Sequence, residues 1–394
     1  MSTASSEAGL MLLEVSDLRE QLRARVIGQD HAVEALVRAV TIGRSGLLEP
    51  DRPLAGLLFV GPTGVGKTQL VRALAEVLRS GPDDFCRVDM SALAQEHYAA
   101  SLAGAPPGYA GSKEGLTVLD RARIESHGDR PGIVLFDEIE KAHPTVVRTL
   151  LHVLDSGRFT LSSGSRTIDF RNCVVVMTSN LGARKIAEHR RNRGAGSGRR
   201  WSLGRSKSRT RASELASLLV HPSVEAGQNA EADILAAALQ DFFDPEFLNR
   251  FDEIVAFGDL DSRTVAEIAG REVLLVVDRL LTRSVRVHVT RDVVTHLARI
   301  GHDEAFGVRA LKRAVRRELL TPLAEALAPE RPRPDAPVSV HVHMNGGRVE
   351  CSTTREALHS PRDCAEPEET DRSPAFPQQQ AGPQALAGRP PRDP

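Results

Sequence analysis

An α/β fold is predicted for this chain: helices covering a parallel sheet, followed by a smaller α+β unit. Three observations predict it. The apolar run Leu57-Leu58-Phe59-Val60 leads into Gly61-Pro62-Thr63-Gly64-Val65-Gly66-Lys67-Thr68, which opens a helical pattern from Gln69 to Leu78. Short apolar runs then alternate with amphipathic segments as far as Thr178. Finally, 41% of residues are hydrophobic but only 4% aromatic, so the core is built from Leu, Val, Ile and Ala, as suits helices laid on a parallel sheet.

Leu18 and Leu22 sit at helical spacing within Val15 to Ala24, and Ala32 to Ile42 forms a second helix begun near Asp30. Strands are expected at Leu57 to Val60, Phe85 to Asp89, Ile133 to Phe136 and Cys173 to Thr178. Helices are expected at Gln69 to Leu78, Leu116 to Ser126 and Val146 to Ser156. Such a βαβ array winds into a sheet whose ligand lies at the carboxyl ends of the strands. Glu188 to Ala230, rich in Arg, Ser and Gly, breaks the pattern and reads as a disordered basic insertion, with order returning at Ile234. The second unit carries strand candidates at Val285 to Val289, Val338 to Val342 and Arg348 to Cys351.

The expected organisation is an extension over 1–20, a large nucleotide-binding domain over 21–257 with the insertion at 188–230, a small domain over 258–352 and a disordered Pro-rich tail over 353–394. No internal repeat is present, which excludes a tandem second copy of the large domain.

Charge and cysteines narrow the function classes. A formal net charge of −1 gives the chain no overall field to attract nucleic acid or an anionic membrane. The four cysteines lack C-x-x-C spacing, against a zinc site or a disulfide framework and in favour of a reducing compartment. Neither a basic leader nor a run of about 20 apolar residues is seen, so a soluble, cytoplasmic protein is expected.

The loop Gly61 to Thr68 carries the chemistry. Its glycines let backbone N–H groups curl around a β-phosphate, Lys67 can reach the β- and γ-phosphates, and the Thr68 hydroxyl suits a Mg²⁺ ligand. Ile133-Val134-Leu135-Phe136-Asp137-Glu138 adds a buried strand ending in two carboxylates, which can divide the metal and the attacking water between them. Alone, Asp137-Glu138 reads as the acidic first turn of a helix. Together the two motifs point to ATP hydrolysis with Mg²⁺.

Six stretches agree in order with a known family: Val26-Ile27-Gly28-Gln29-Asp30, Ala105-Pro106-Pro107-Gly108-Tyr109-Ala110-Gly111, Phe136 to Pro144, Thr178-Ser179-Asn180-Leu181-Gly182, Phe247-Leu248-Asn249-Arg250-Phe251-Asp252-Glu253 and Gly307 to Arg313. From about Arg25 to Leu327 the chain resembles the Clp-type AAA+ protein unfoldases, in particular the second ATPase domain of the disaggregase ClpB. The resemblance implies an AAA+ P-loop domain with a small lid domain, assembled as a homo-hexamer that acts on a client polypeptide. It makes Gly61 to Thr68 the Walker A motif, Asp137 a metal ligand, Glu138 the orienter of water, and Asn180 the first sensor with Thr178 nearby. It makes Arg250 an arginine finger reaching the neighbouring subunit, and Arg309 the second sensor. Val26 and Ile27 become packing residues for adenine, and Tyr109 the pore-loop residue that grips clients. Without the resemblance, Asn180 reads as a strand-end turn residue, each arginine as a surface ion-pair partner, Val26 and Ile27 as helix-docking hydrophobics, and Tyr109 as a ring packed under a loop.

The pattern also departs from the family. Ser112 stands where a second pore aromatic is usual, and Leu161-Ser162-Ser163-Gly164-Ser165-Arg166 replaces an Asp-Gly-x-Gly-Arg stretch. Trp201-Ser202-Leu203-Gly204 is not the Ile/Leu-Gly-Phe/Leu tripeptide of protease-partnered relatives, so protease docking is not expected. Two alternatives to a threading unfoldase stay open: a regulatory ATPase remodelling one dedicated complex, and a nucleic-acid-associated ring ATPase using the basic insertion, although that insertion reads better as a solvated linker.

Overall fold

The computed structural model describes residues 16–95, 118–125, 130–160, 167–194, 219–220, 230–303, 307–330, 333 and 337–355. Tyr109, Ser112, Trp201, residues 161–166 and the tail beyond 355 lie outside these, and so does the insertion from 195 to 218.

Six parallel strands form the large domain's sheet, in the order β2-β3-β6-β1-β8-β7. They are β1 (Ala55–Val60), β2 (Cys86–Asp89), β3 (Gly132–Asp137), β6 (Cys173–Ser179), β7 (Leu219–Val220) and β8 (Glu253–Ala256). A two-stranded antiparallel hairpin, β4 (Arg158–Thr160) with β5 (Thr167–Asp169), stands apart. The central strands are apolar throughout because both faces are covered. Alternate residues go to opposite sides. Leu58, Val60, Phe136, Val175 and Met177 pack with Val146, Leu150 and Leu154 of helix α5 (Pro144–Ser156). Leu57, Phe59, Ile133, Leu135, Val174 and Val176 pack on the other side with α1 (residues 16–25), α2 (Asp30–Arg44) and α3 (Lys67–Leu78).

Chain order and strand order disagree, since β1 lies between β6 and β8. The carboxyl ends of β1, β3 and β6 therefore open side by side, the place where a doubly wound sheet takes its ligand.

Four sequence expectations need correction. Leu18, assigned to an extension, is buried in the large domain's core together with Leu22. Glu188 to Gly194, assigned to a disordered insertion, completes α6 (Ala183–Gly194), Leu219 and Val220 in the same stretch form β7, and Ala230 is the first residue of α7 (Ala230–Phe242). The physical reason is Arg190, which pairs with Glu231 and Asp259 and so gives an Arg-rich stretch tertiary partners that composition does not reveal. In the segment Leu116 to Ser126, the described helix is the single turn α4 (Arg121–Ile124), capped by Asp120.

The small domain holds α9 (Ser262–Leu281), β9 (Val285–Val289), α10 (Arg291–Gly301), α11 (Val308–Ala314), a wider π-helical stretch over Val315–Leu320, α12 (Thr321–Leu327), β10 (Val338–Asn345) and β11 (Arg348–Arg355). Its sheet, β11-β10-β9, pairs β10 antiparallel to β11 and parallel to β9. β11 continues through Arg355, past the boundary placed at 353. A separate core of Val265, Ala269, Val273, Val293, Leu297, Leu311, Leu319, Val340 and Val342 holds it together. A short helix, α8 (Pro245–Leu248), leads into β8 and on to the small domain.

Candidate functional site

The loop after β1 turns on glycines with positive φ, Gly61 (145°), Gly64 (81°) and Gly66 (110°), and its last residue caps α3. A Cβ on Gly61 would stand 2.5 Å from the Phe257 carbonyl oxygen, so the loop's entry admits no side chain. Lys67 opens α3 and is buried, with Nζ donating to Gly61 O at 2.5 Å, Pro62 O at 2.8 Å and Asn180 Oδ1 at 2.8 Å. Burial favours the neutral amine and lowers its pKa to about 8, against the opposing pull of Glu140, Asp137 and Glu138.

Asp137 ends β3. Its Oδ1 accepts from the Thr178 hydroxyl at 2.6 Å, and its Oδ2 accepts from Arg87 at 2.6 Å. Glu138 follows in a left-handed conformation, φ 61°, which costs a non-glycine residue about 1–3 kcal/mol. Its backbone N–H donates to Thr178 Oγ1 at 3.0 Å, and its Oε1 accepts from Asn180 Nδ2 at 3.1 Å. Asn180, just past β6, thus touches both Lys67 and Glu138, and its own N–H donates to Glu140 Oε1 at 3.0 Å. The other Glu140 oxygen is buried with no partner.

The small domain reaches the same place. Val308 N–H donates to Gly64 O at 3.0 Å, and Arg309, next in α11, is close enough for its charge to act on Lys67. Gln29, 1% exposed, donates from Nε2 to Val65 O at 3.2 Å and to Gly258 O at 2.9 Å, joining the loop to the chain entering the small domain. A narrow cavity of about 30 Å³ remains between the loop and the small domain, lined by Val65, Leu260, Val265, Asp303 and Gly307 among others.

Comparisons with known proteins match both parts. A family model described as "AAA domain (Cdc48 subfamily)" matches residues 52–254, and one described as "C-terminal, D2-small domain, of ClpB protein" matches 260–340. The chain belongs to the Clp-type AAA+ family. It is 44% identical over 333 residues to an ATP-dependent protease ATP-binding subunit-like protein of Rhodococcus erythropolis, covering 84% of this chain and 89% of that one. It is also 44% identical over 309 residues to the Pseudomonas aeruginosa protein of that description called AmiB, covering 78% and 77%. The chaperone protein ClpB of Meiothermus ruber is 38% identical over 312 residues, covering 79% of this chain but 32% of ClpB.

Within this AAA+ chain, the residues expected at the site divide into three groups. Gly61 to Thr68, Asp137, Glu138, Asn180 and Arg309 are gathered around the ends of β1, β3 and β6. Val26 is buried in the core beside α2, while Ile27 is half-buried. Arg250 lies at the opposite end of the sheet. Gly56, 3.8 Å from Arg250 O through an added Cβ, is five residues before Gly61 on β1, or about 16 Å of strand.

Three groups at the site were not singled out from sequence. Arg87 reaches Asp137 only through β2–β3 register, and no local pattern announces it. Glu140 and Gln29 lie inside the matched stretches, so the signal was present, but their contacts depend on strands and loops far apart in the chain.

The donor set fits a nucleoside triphosphate with Mg²⁺. A buried lysine inside a loop of left-handed glycines is a cradle for polyanionic oxygens. Thr68 supplies a hydroxyl at the head of α3. Both Asp137 oxygens already have protein donors, which suits a carboxylate holding a hydrated cation through water.

Proposed function

We propose that this chain is a Mg²⁺-dependent ATPase that assembles into a ring, a homo-hexamer, and remodels or unfolds client polypeptides in the cytoplasm. The observation that carries the reading is the convergence of Lys67, Asp137, Glu138 and Asn180 at three adjacent strand ends, with Arg309 arriving from a second domain. Gly61 to Thr68 bind the triphosphate, and Lys67 exchanges its carbonyl partners for phosphate oxygens. Glu138 orients the attacking water and accepts its proton, held in place by Asn180 Nδ2. Thr68 and Asp137 are the residues to hold Mg²⁺, which when bound neutralises charge on the β- and γ-phosphates. Ile27 packs on the base, with Val26 as its support.

Arg309 reports γ-phosphate to the lid. Its helix begins at the Gly64 contact, so loss of phosphate loosens a hinge already anchored to the loop. Arg250 lies too far from its own subunit's site to act there, which supports a role at the neighbour's nucleotide. Tyr109 is the client-gripping residue of this proposal. Relatives described as protease ATP-binding subunit-like are matched over 89% and 77% of their length, whereas ClpB is matched over 32% of its length.

The deciding experiment compares a Glu138→Gln variant with the native protein. The variant should bind ATP, form the ring and retain clients while turnover stops. A Tyr109→Ala variant should keep ATPase activity and lose unfolding of a stable tagged substrate. Continued unfolding by Tyr109→Ala would favour remodelling of one complex without threading. Full ATPase activity in monomers would end the ring reading.

A further inference from the structure

Arg250 does not wave free at the sheet's far end. Its backbone is fixed from several sides: its N–H donates to Phe247 O at 3.3 Å, and its carbonyl accepts from Arg52 at 2.9 Å. Phe251, next in the chain, packs edge-on against Phe247 at 5.2 Å between ring centroids. The guanidinium forms an ion pair with Asp155, Nε to Oδ1 at 2.6 Å, without the alignment of a hydrogen bond. Glu246 stands farther off, 3.7 Å from Nη2 and 68% exposed, against 29% for Asp155. Asp155 is therefore the closer and better shielded of the two carboxylates, and it grips the side of the guanidinium rather than its terminal nitrogens.

The support behind Asp155 is rigid. It lies in the last turn of α5, whose core-facing Val146, Leu150, Val153 and Leu154 are all buried. Gly157 ends the helix in the left-handed conformation, and its N–H returns to Val153 O. At the other end a tight turn leads back to Glu138: Lys141 N–H donates to Glu138 O at 2.8 Å, and His143 N–H to Leu93 O at 2.9 Å. A helix of 13 residues is about 20 Å long, so α5 runs from the Glu138 turn to the end of the sheet where Arg250 sits.

We infer that Asp155 is a positioning residue for Arg250, holding the guanidinium by its Nε side so that the terminal nitrogens project toward the neighbouring subunit's triphosphate. The inference rests on the reading of Arg250 as a residue acting in trans. An arginine supplied to a phosphoryl transition state is worth about 10³–10⁵ in turnover, and a mis-aimed one forfeits part of that. Asp155 touches no substrate, and its effect passes through Arg250 alone.

The test measures kcat and KM for ATP, together with assembly state, in Asp155→Asn, Asp155→Glu, Arg250→Ala and the double variant Asp155→Asn/Arg250→Ala, with Glu246→Gln as a control. Asp155→Asn should lower kcat about tenfold with KM and ring assembly unchanged. Asp155→Glu should recover part of the loss, and Glu246→Gln should stay within about twofold. The double variant should be no slower than Arg250→Ala. If Arg250→Ala is impaired while Asp155→Asn turns over at the native rate, the positioning role is wrong and the trans reading stands. If the losses multiply in the double variant, Asp155 acts by another route and the inference is overturned. Full turnover by assembled Arg250→Ala removes the trans reading and the inference with it.

Discussion

Lys67 Nζ lies 2.8 Å from Asn180 Oδ1, so the cation at the head of α3 and the amide just past β6 are bonded across two adjacent parallel strands. The same amide donates to Glu138. A phosphate that draws Lys67 away from Asn180 loosens the group orienting Glu138, and binding is thereby connected to the position of the proposed base.

Lys67 also sets a pH dependence. Burial favours its neutral form and brings its pKa to about 8, whereas a bound triphosphate favours the cation. Nucleotide binding should then take up a proton above about pH 8. Affinity is expected to be flat below that value and to fall about tenfold per unit above it, until the pKa of the bound state is reached. The nucleotide-free protein should show the opposite trend in this group's contribution to stability. Between about 8 and the ordinary 10.5 the unfolded chain holds more protons, so stability rises with pH. Fluorescent-nucleotide titrations at pH 7 and 9 check the first claim. In Lys67→Ala the pH slope should vanish along with most of the affinity.

Glu138→Gln keeps the side chain's length and an oxygen for Asn180 Nδ2 but removes the basic carboxylate. Turnover should drop by about 10²–10⁴ while ATP affinity stays within a few-fold, the range removal of a general base commonly gives. Single-turnover hydrolysis and equilibrium binding on the same preparation measure the two effects separately. A fall in binding as large as the fall in rate would assign Glu138 to ground-state contact instead.

The parts of this site that sequence made legible are contiguous ones. Gly61 to Thr68 and Asp137-Glu138 declare themselves because a strand end and a following loop are local, and the apolar runs around them have strand length. What sequence did not show depends on register. Arg87 meets Asp137 because Asp89 pairs with Asp137 across β2 and β3, and Arg190 is ordered by carboxylates 41 and 69 residues away. The same reason explains the misplaced edge of the insertion. Composition measures solvation, and it cannot count partners brought in from α7 and the interdomain segment.

Gly307 tests the junction between the domains. It sits at φ 50°, ψ −140°, a conformation that side chains avoid, and an added Cβ would stand 2.6 Å from Gly64 O, the acceptor of the Val308 N–H. Gly307→Ala should cost about 1–3 kcal/mol and push α11, with Arg309, off the loop. Thermal melts with and without nucleotide check it. The deficit should be larger with nucleotide present, because Arg309 is then displaced from the phosphate as well.

Gln29 provides the last test, because its single amide nitrogen serves two masters: Val65 O in the phosphate loop and Gly258 O at the start of the small domain. Gln29→Ala leaves both carbonyls without that donor in a site where the side chain was 1% exposed, and an unmet buried acceptor costs about 1–3 kcal/mol. Stability should fall by that order, and ATP affinity should fall with it, since the loop loses a brace at Val65. Gln29→Glu should do worse than alanine at neutral pH, for it sets a buried carboxylate against two carbonyl oxygens. Denaturant unfolding and nucleotide titration of the two variants measure these effects. A loss below about 0.5 kcal/mol in both would show that loop and lid are held together without this amide.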